Sequence, residues 1–369
     1  MLKPQYFIIL FIILLFSTCA PRAKTWIKKK IIPDTNSYSI SLNKLGIKDL
    51  KVLYTGCGGL IITNGNEGIM TDPYYTGHKI SKVLLGKIKI NPENNERVNK
   101  EIQQKIPMKN INAVLIAHSH YDHLEDLPYL LEKNLLNEKI KIVGDTSTYC
   151  SIHKFMKGGE EYIFSNSYCY NQIPKPNIAN SWVKLSANMR VMIIEANHAP
   201  HLGKIHTMRG NTCSNGISGF DKSTDKTKAN DWKEGKTYSF LLDILGADKK
   251  PELRLFIQSS SCEAPYGFPP SEILKERPVD IAFIGVASAQ NIGRYPEDIL
   301  NYLRPQKVVL IHWEDFFREL YSKKLKSVRG TNIHKFIRHL RKQYNCYRTE
   351  ELAEWFSMPA PLSWINIKY

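Results

Sequence analysis

The most informative stretch of this sequence is Ala113-Val-Leu-Ile-Ala-His118-Ser-His120-Tyr-Asp122-His123. Its apolar first half is typical of a buried strand, and that strand ends in three imidazoles and a carboxylate. Side chains alternate along an extended segment, so His118 and His120 point the same way and can bind one metal ion. Asp122 and His123 lie past the bend and can reach a second ion. Zinc favours nitrogen and oxygen ligands of this kind.

A polar loop that contains histidines by chance is the alternative, but three of the chain's eleven histidines fall within these few positions. Other apolar runs also end in polar residues. Asp72 follows Ile-Met-Thr, His198 follows Val-Met-Ile-Ile-Glu-Ala-Asn, and His312 follows Lys-Val-Val-Leu-Ile, while a serine cluster at 259–261 ends a further run. Because polar groups at the carboxyl ends of sheet strands can converge on one cleft, we expect these residues to meet.

Apolar runs of strand length recur along the chain. They dominate early and alternate with helical patterns later in each half, which predicts a two-layer sheet with helices on its outer faces. A polar stretch at 200–236 is predicted to be a long loop beside the active site. Strands are expected at 52–54, 60–62, 69–71, 113–117, 140–144, 162–164, 182–185, 191–196, 239–244, 253–257, 281–285 and 308–311, and helices at 124–136, 146–156 and 296–303.

The first residues are typical of an export signal. Lys3 precedes an apolar stretch at 7–16 that is too short to span a bilayer comfortably, and small residues and Cys19 follow. This arrangement resembles a bacterial lipoprotein signal, in which the cysteine is lipidated and becomes the new N-terminus; plain secretion and an uncleaved anchor are the alternatives. We therefore divide the chain into a signal peptide (1–18), a lipid-anchor cysteine and tether (19–49), one large domain (50–355) and a C-terminal tail (356–369).

Composition limits the partners of the chain. Its 369 residues carry a formal net charge of +16, and the basic residues are spread thinly, as on a solvated surface. Attraction to an anionic membrane or to a phosphate-bearing substrate is the functional alternative. No nucleic-acid-binding motif accompanies the charge, so we expect no nucleic-acid partner.

The seven cysteines leave six after Cys19, and an even number permits disulfides in an oxidising compartment. Cys57 and Cys262 lie in loops that we expect to be close together, which makes them a candidate pair. No cysteines have CxxC spacing, which disfavours a cysteine-based zinc site.

Taken together, these motifs resemble those of the metallo-β-lactamase-fold hydrolases over roughly residues 51–317. The resemblance is carried by the order Asp72, His118-x-His120-x-Asp122-His123, His198, His312. The resemblance is greatest to the branch of N-acylphosphatidylethanolamine phospholipase D and the ascorbate-phosphate lactonases. It lies in the sequence motifs Thr-Asp72-Pro, His118-Ser-His-Tyr-Asp-His-Leu and Ile-His312-Trp. It implies an α/β (α+β) protein with a four-layer αββα sandwich.

The resemblance also implies two metal sites. His118, His120 and His198 would hold the first ion, and Asp122, His123 and His312 the second. Asp72 would orient a ligand through hydrogen bonds. The family usually has a bridging Asp where this chain has Ser260, although one β-lactamase subclass similarly has Asp-His-His ligands and a serine at this point. We expect two Zn²⁺ ions, with a single ion, Mn²⁺ or Fe²⁺ as the alternatives.

The expected chemistry follows from the metals. A metal pair lowers the pKa of a shared water, which makes hydroxide available near neutral pH for attack on a carbonyl carbon or a phosphorus. Asp122 can hold or accept a proton as well as bind metal, and is the principal catalytic candidate. His201, which closely follows His198, is expected to contact the substrate or to protonate a leaving group.

Three functions are compatible with this sequence. The first is a hydrolase of a phosphodiester or phospholipid-like ester, lipid-anchored in the cell envelope of a bacterium, on the periplasmic side or the cell surface. The second is a lactone or β-lactam hydrolase. The third belongs to another class: a non-catalytic surface lipoprotein that binds a partner on the same scaffold. The oligomeric state is left open.

Overall fold

Two β-sheets form the centre of the computed structural model, which describes residues 38–42, 48–164, 167–169, 181–201, 203–215, 222, 225–321, 325–344 and 355–369. The strands are β1 Tyr38–Ser41, β2 Asp49–Gly56, β3 Gly59–Thr63, β4 Gly68–Thr71, β5 Ile111–Leu115, β6 Lys141–Gly144, β7 Glu161–Phe164, β8 Trp182–Lys184, β9 Met189–Ala196, β10 Thr237–Leu245, β11 Pro251–Gln258, β12 Ile281–Gly285, β13 Lys307–Ile311, β14 Phe356–Ser357 and β15 Ser363–Lys368. The α-helices are α1 Ile80–Leu85, α2 Pro92–Gln103, α3 Tyr121–Leu124, α4 Leu127–Glu132, α5 Thr146–Ile152, α6 Ser271–Glu276, α7 Glu297–Leu303 and α8 Ile333–Tyr344.

Each sheet combines an antiparallel part with a parallel part. The first has the order β1-β15-β2-β3-β4-β5-β6-β7, in which β2 to β4 form an antiparallel meander and β4 to β7 run parallel. The second has the order β14-β13-β12-β11-β10-β9-β8, antiparallel from β8 to β11 and parallel from β11 to β14. Parallel strands end at a common edge, so residues that follow β4, β5, β11, β12 and β13 are candidates for a shared site.

The apolar side chains show how the layers are stacked. One face of the first sheet, with Ile62 and Ile69, packs against the second sheet through residues such as Phe240. The opposite face, with Ile61 and Val114, packs against α2 and α4. Helices α6 to α8 contribute to the core on the second sheet's side. Because both sheets are covered in this way, their parallel strands are buried on both faces.

The predicted αββα arrangement is therefore confirmed, and every expected strand overlaps an observed one. The helix expected at 124–136 is wrong in detail, because two short helices, α3 and α4, occupy this stretch. Pro128 lies at the start of α4, where its missing N–H is tolerated but where it cannot continue a preceding helix.

The two ends of the domain also differ from expectation. Residues 356–369 are not a tail, because β14 pairs with β13 and β15 lies between β1 and β2 in the first sheet. Likewise, residues 19–49 are not a tether throughout, because Tyr38–Ser41 forms β1 and pairs with β15. The alternating pattern of β15, with Ile365 and Ile367 buried, explains why this segment is a strand.

The predicted signal peptide and Cys19 lie outside the described residues. Within the described part of the chain, no helix combines the length and the apolar character needed to cross a bilayer.

Candidate metal centre

The side chains that the sequence predicts to meet do gather at one end of the sandwich. Asp72 directly follows β4 and His312 directly follows β13, while His118 and His198 come shortly after β5 and β9. The loop after β5 is tied to Asp72, whose Oδ1 accepts a hydrogen bond from the Ala117 N–H at 2.7 Å. The ring centroids of His118 and His123 are 4.0 Å apart, and those of His118 and His198 4.7 Å apart.

The first histidine group consists of His118, His120 and His198, which each offer a ring nitrogen within 4.8 Å of the others. Nε2 of His118 and Nδ1 of His120 face each other at 3.1 Å. Nδ1 of His198 lies 2.6 Å from the backbone oxygen of Ala199, so it carries the proton and donates it there. Nε2 of His198 therefore keeps a lone pair for a ligand.

The second group consists of Asp122, His123 and His312. Oδ2 of Asp122 lies 3.8 Å from Nε2 of His123 and 3.6 Å from Nε2 of His312. On the other side of its ring, His123 has Nδ1 at 3.0 Å from Oδ2 of Asp72. The ring of His123 thus lies between two carboxylates, with Nδ1 toward Asp72 and Nε2 toward Asp122.

The two groups differ in their electrostatics. Burial, followed by the neighbouring imidazoles, lowers the pKa of His118, His120, His198 and His312 well below the usual value. Burial acts in the same direction on His123, but the carboxylates of Asp72 and Asp122 outweigh it and raise its pKa. The first group is therefore a set of neutral imidazoles, whereas the second combines imidazoles with negative charge.

A divalent metal ion fits this donor set. Two nitrogens bound to zinc at about 2.0–2.1 Å in tetrahedral geometry lie about 3.3 Å apart, close to the 3.1 Å between His118 Nε2 and His120 Nδ1. Burial keeps these rings neutral, which is the state in which imidazole binds metal. Buried imidazoles packed this closely would otherwise lack the hydrogen-bond partners that buried polar groups normally have.

Ser260, expected at the bridging position, is buried after the end of β11. The hydroxyl that the structure places beside Asp72 is that of the preceding residue, Ser259. A Cβ at Gly58 would collide with both Asp72 Oδ2 and the Ser259 side chain, so the chain requires glycine there. Oγ of Ser259 is buried without a hydrogen-bond partner.

The sequence analysis missed Cys57. This residue follows β2 in the turn before β3, and its Sγ lies within 4.8 Å of a carboxylate oxygen of Asp122 and a ring nitrogen of His312. A signal was available, because the turn Gly-Cys57-Gly-Gly ends a strand at the same edge as Asp72.

Unusual backbone conformations occur in the loops that form the candidate metal centre. Among the described residues, nine non-glycine residues have a positive φ, and three of them are Cys57 (51°), Asp72 (39°) and His312 (52°). Such conformations are uncommon for residues with a Cβ, and they concentrate at functional sites. Three separate loops of this end of the sandwich are therefore held in strained turns.

His201 lies at the edge of the first group. Its ring stacks on His198 with centroids 4.7 Å apart and lies 5.4 Å from the ring of His120. Its Nδ1 accepts a hydrogen bond from the Thr207 N–H at 3.2 Å, which places the ring proton on Nε2. Burial, followed by His206, lowers its pKa to about 4, so the ring is neutral near pH 7.

The candidate Cys57–Cys262 pair is wrong, because both cysteines are free and buried. Cys262 instead has its Sγ at 3.2 Å from Nε2 of Gln258. Among the described residues, a disulfide joins Cys150 and Cys213, and so fastens the short segment around Cys213 to helix α5. Spacing along the sequence could not reveal this pair because the two cysteines are 63 residues apart and meet only in the folded chain.

No protein-family model matches the chain, and no curated protein matches its sequence. Among solved structures, the chain is similar to Igni18, a metallo hydrolase from the archaeon Ignicoccus hospitalis, with 13% identity, a TM-score of 0.45 and coverage of 87% of this chain and 99% of that one. It is also similar to the metallo-β-lactamase fold protein YhfI from Bacillus subtilis (11% identity, TM-score 0.44, 85% and 98% coverage) and to an isothiocyanate hydrolase from Delia radicum gut bacteria (11%, 0.46, 85% and 98%).

Proposed function

We propose that this protein is a metal-dependent hydrolase with a metallo-β-lactamase-type site. The observation that carries the proposal is the convergence of the first group with Asp122, His123 and His312 from three separate segments at one end of the sandwich. A scaffold without chemistry has no use for neutral, buried imidazoles at ligand spacing. Two of the three similar structures are named as hydrolases, which is compatible with the proposal but does not carry it.

Each residue then has a role. A bound metal pair would supply an acidified water and stabilise negative charge on the reacting oxygen. His118, His120 and His198 would hold the first ion, and Asp122, His123 and His312 the second. Asp122 would receive the proton of the water at its second carboxylate oxygen, Oδ1. Burial raises the pKa of this carboxyl, which favours its service as a proton acceptor.

His201 is assigned to substrate binding. Its neutral ring has a proton on Nε2 and can donate a hydrogen bond next to the first group. A pKa of about 4 makes it a hydrogen-bond donor rather than a reservoir of imidazolium at neutral pH. Of the two roles expected for His201, we therefore propose contact with the substrate and not protonation of a leaving group.

The substrate class that we propose is an anionic phosphodiester or phospholipid-like ester. Burial is the main reason why the pKa of His120 is lowered, with Lys233 as a lesser cause, and burial followed by Arg209 lowers the pKa of His206. These cations stand on the histidine-rich side of the site, where they would attract a phosphate group. The net charge of +16 extends the same preference to the whole surface.

We also propose that the protein is exported and anchored in a bacterial cell envelope through Cys19. The Cys150–Cys213 disulfide supports export, because disulfides persist in oxidising compartments. Palmitate labelling of the wild type, lost in Cys19→Ala, tests the anchor. Labelling that is equal in the two proteins would rule it out.

The function is tested by elemental analysis combined with two substrates. We expect purified protein to contain a transition metal, and bis-p-nitrophenyl phosphate to be hydrolysed faster than nitrocefin. Nitrocefin hydrolysis alone would favour the second candidate, a lactone or β-lactam hydrolase. The Asp122, His123 and His312 set without a bridging carboxylate supports that candidate.

If the purified protein contained no metal, the remaining candidate function would be a non-catalytic protein that binds a partner on the same scaffold. The same scaffold function would hold if chelation removed the metal and left the biological activity intact.

A further inference from the structure

We propose that the thiolate of Cys57 is a ligand of the second metal ion, together with Asp122, His123 and His312. The inference rests on the proposed function only in requiring that the second group binds metal. Its starting point is a distance: Sγ of Cys57, a carboxylate oxygen of Asp122 and a ring nitrogen of His312 all lie within 4.8 Å of one another. All three residues are buried.

Backbone strain shows that the side chain at position 57 is needed. The φ of Cys57 is 51°, a conformation that glycine adopts without cost and that other residues pay for. The neighbours on both sides, Gly56 and Gly58, are glycines, so this turn accommodates glycine readily. A cysteine in the strained position therefore points to a use for its sulfur, as strained residues at functional sites commonly do.

A hydrogen-bonded clamp holds Cys57 against the loop of His312. The Cys57 N–H donates to Oε1 of Glu314 at 2.5 Å, and the hydroxyl of Tyr54 contacts Oε2 of the same carboxylate. The Tyr54 oxygen in turn accepts the His312 N–H at 2.8 Å. One tyrosine–glutamate pair thus fixes the backbones of Cys57 and His312 relative to each other, although they are far apart in sequence.

The sulfur also completes the donor count. Asp122, His123 and His312 supply three ligands, and Ser259 and Ser260 occupy the stretch where a bridging carboxylate would be expected. Zinc in proteins is commonly four-coordinate and takes thiolate readily. On binding, the thiol releases its proton to solvent and a sulfur–metal bond forms. The ligand atoms, which lie within 4.8 Å of one another, then settle at about 3.5 Å, the spacing set by metal bonds of about 2.0–2.3 Å.

Packing is the competing explanation, because Cys57 also belongs to the apolar cluster behind the first sheet. A packing role and a ligand role predict different spectra. Thiolate bound to Co²⁺ gives an intense near-ultraviolet charge-transfer band, whereas a buried thiol that only packs gives none. The experiment therefore strips the full-length protein with a chelator and titrates it with Co²⁺ under anaerobic conditions, with absorption and cobalt content as readouts.

We expect the wild type to bind two cobalt ions and to show the band. Cys57→Ser should lose the band and bind the second cobalt at least about tenfold more weakly, since the hydroxyl is a poor substitute for thiolate. His312→Ala should lose the band as well. His120→Ala, which disrupts only the first group, should keep it. Circular dichroism checks that each variant is folded.

Cys262→Ser is the matched control, because Cys262 is also buried and free but its sulfur contacts Gln258 and the backbone oxygen of Tyr266. It should retain the band and both ions. Two bound cobalt ions without a band in the wild type would overturn the proposal for Cys57 and leave the metallohydrolase intact. No cobalt binding at all would overturn both. The wild-type spectrum decides the matter even if Cys57→Ser does not fold.

Discussion

The two halves of the metal centre are built in different ways. The first group takes two of its three histidines from one short loop, and its pKa values are lowered by burial among like rings. The second group likewise takes two of its three members from the segment 118–123, but it lies against Asp72 and includes strained backbone at Cys57 and His312. The first group is thus a set of neutral imidazoles, whereas the second depends on nearby carboxylates and on backbone support from other loops.

This difference leads us to expect that the two sites can be disrupted separately. In the first group, removal of a ligand should abolish hydrolysis. The second should respond to changes in charge and backbone support that leave the first group in place. Four experiments test this separation.

The largest effect is expected for His120→Ala. Removal of a ligand from the first group should abolish binding of that ion and lower hydrolysis on the order of 10³-fold, because the metal contributes several kcal/mol to transition-state stabilisation. Cobalt or zinc content and turnover of the best substrate are the measurements. His153→Ala, at the end of helix α5, is the control and should retain both. Full metal content in His120→Ala would contradict the site assignment.

His201→Ala separates chemistry from metal binding in the first group. We expect metal content to be unchanged and turnover to fall on the order of 10²-fold, the cost of losing one hydrogen-bond donor to a developing charge. Steady-state kinetics beside elemental analysis would show this. A parallel loss of metal would mean that His201 supports the ligands instead of the substrate.

Asp72→Asn should weaken the second ion alone. The asparagine keeps the size of Asp72 but removes the charge that faces Nδ1 of His123 at 3.0 Å. Loss of such a supporting group commonly costs about 10–100-fold in metal affinity. Competition with a coloured chelator can resolve the two binding steps. If both ions weaken equally, the halves are more tightly coupled than the geometry indicates.

The smallest effect is a pH dependence of the metal-free protein. His118, His198 and His312 have folded-state pKa values below the ordinary 6.5, so on acidification the unfolded chain takes up protons before the folded one does. The free energy of unfolding should therefore be highest above pH 6.5 and fall below it, by up to about 1.4 kcal/mol per pH unit for each such histidine.

Denaturant titrations of the metal-free protein between pH 7.5 and 5.5 measure this slope. His123, whose pKa is raised, opposes it. A metal-free His118→Asn variant should show a shallower slope than the wild type. An unfolding free energy that does not change over this range would argue against neutral, buried imidazoles.

Much of the fold could be predicted because strands that are buried on both faces of a sheet are short apolar runs. Strands such as β10 and β13 are buried almost throughout, and their sequences show it directly. The terminal strands could not be predicted in this way. β1 is four residues long and β14 two, and their pairing depends on neighbours that are distant in sequence.

The same reasoning applies to the site. Histidines that follow apolar runs predicted which loops would meet, because parallel strands end at a common edge. Cys57 was different, since its place beside Asp122 depends on the clamp of Tyr54 and Glu314, which joins loops far apart in sequence. Sequence patterns record periodicity within a segment and say little about which side chains touch across segments.

The position of β15 has a consequence for biosynthesis. Residues 363–368 lie between β1 and β2, so the first sheet remains incomplete until this segment has been translated. Until then β2 presents an unpaired edge to other nascent chains, a known route to aggregation. Completion of the first sheet is thus coupled to a segment that lies far downstream of β2 in the sequence.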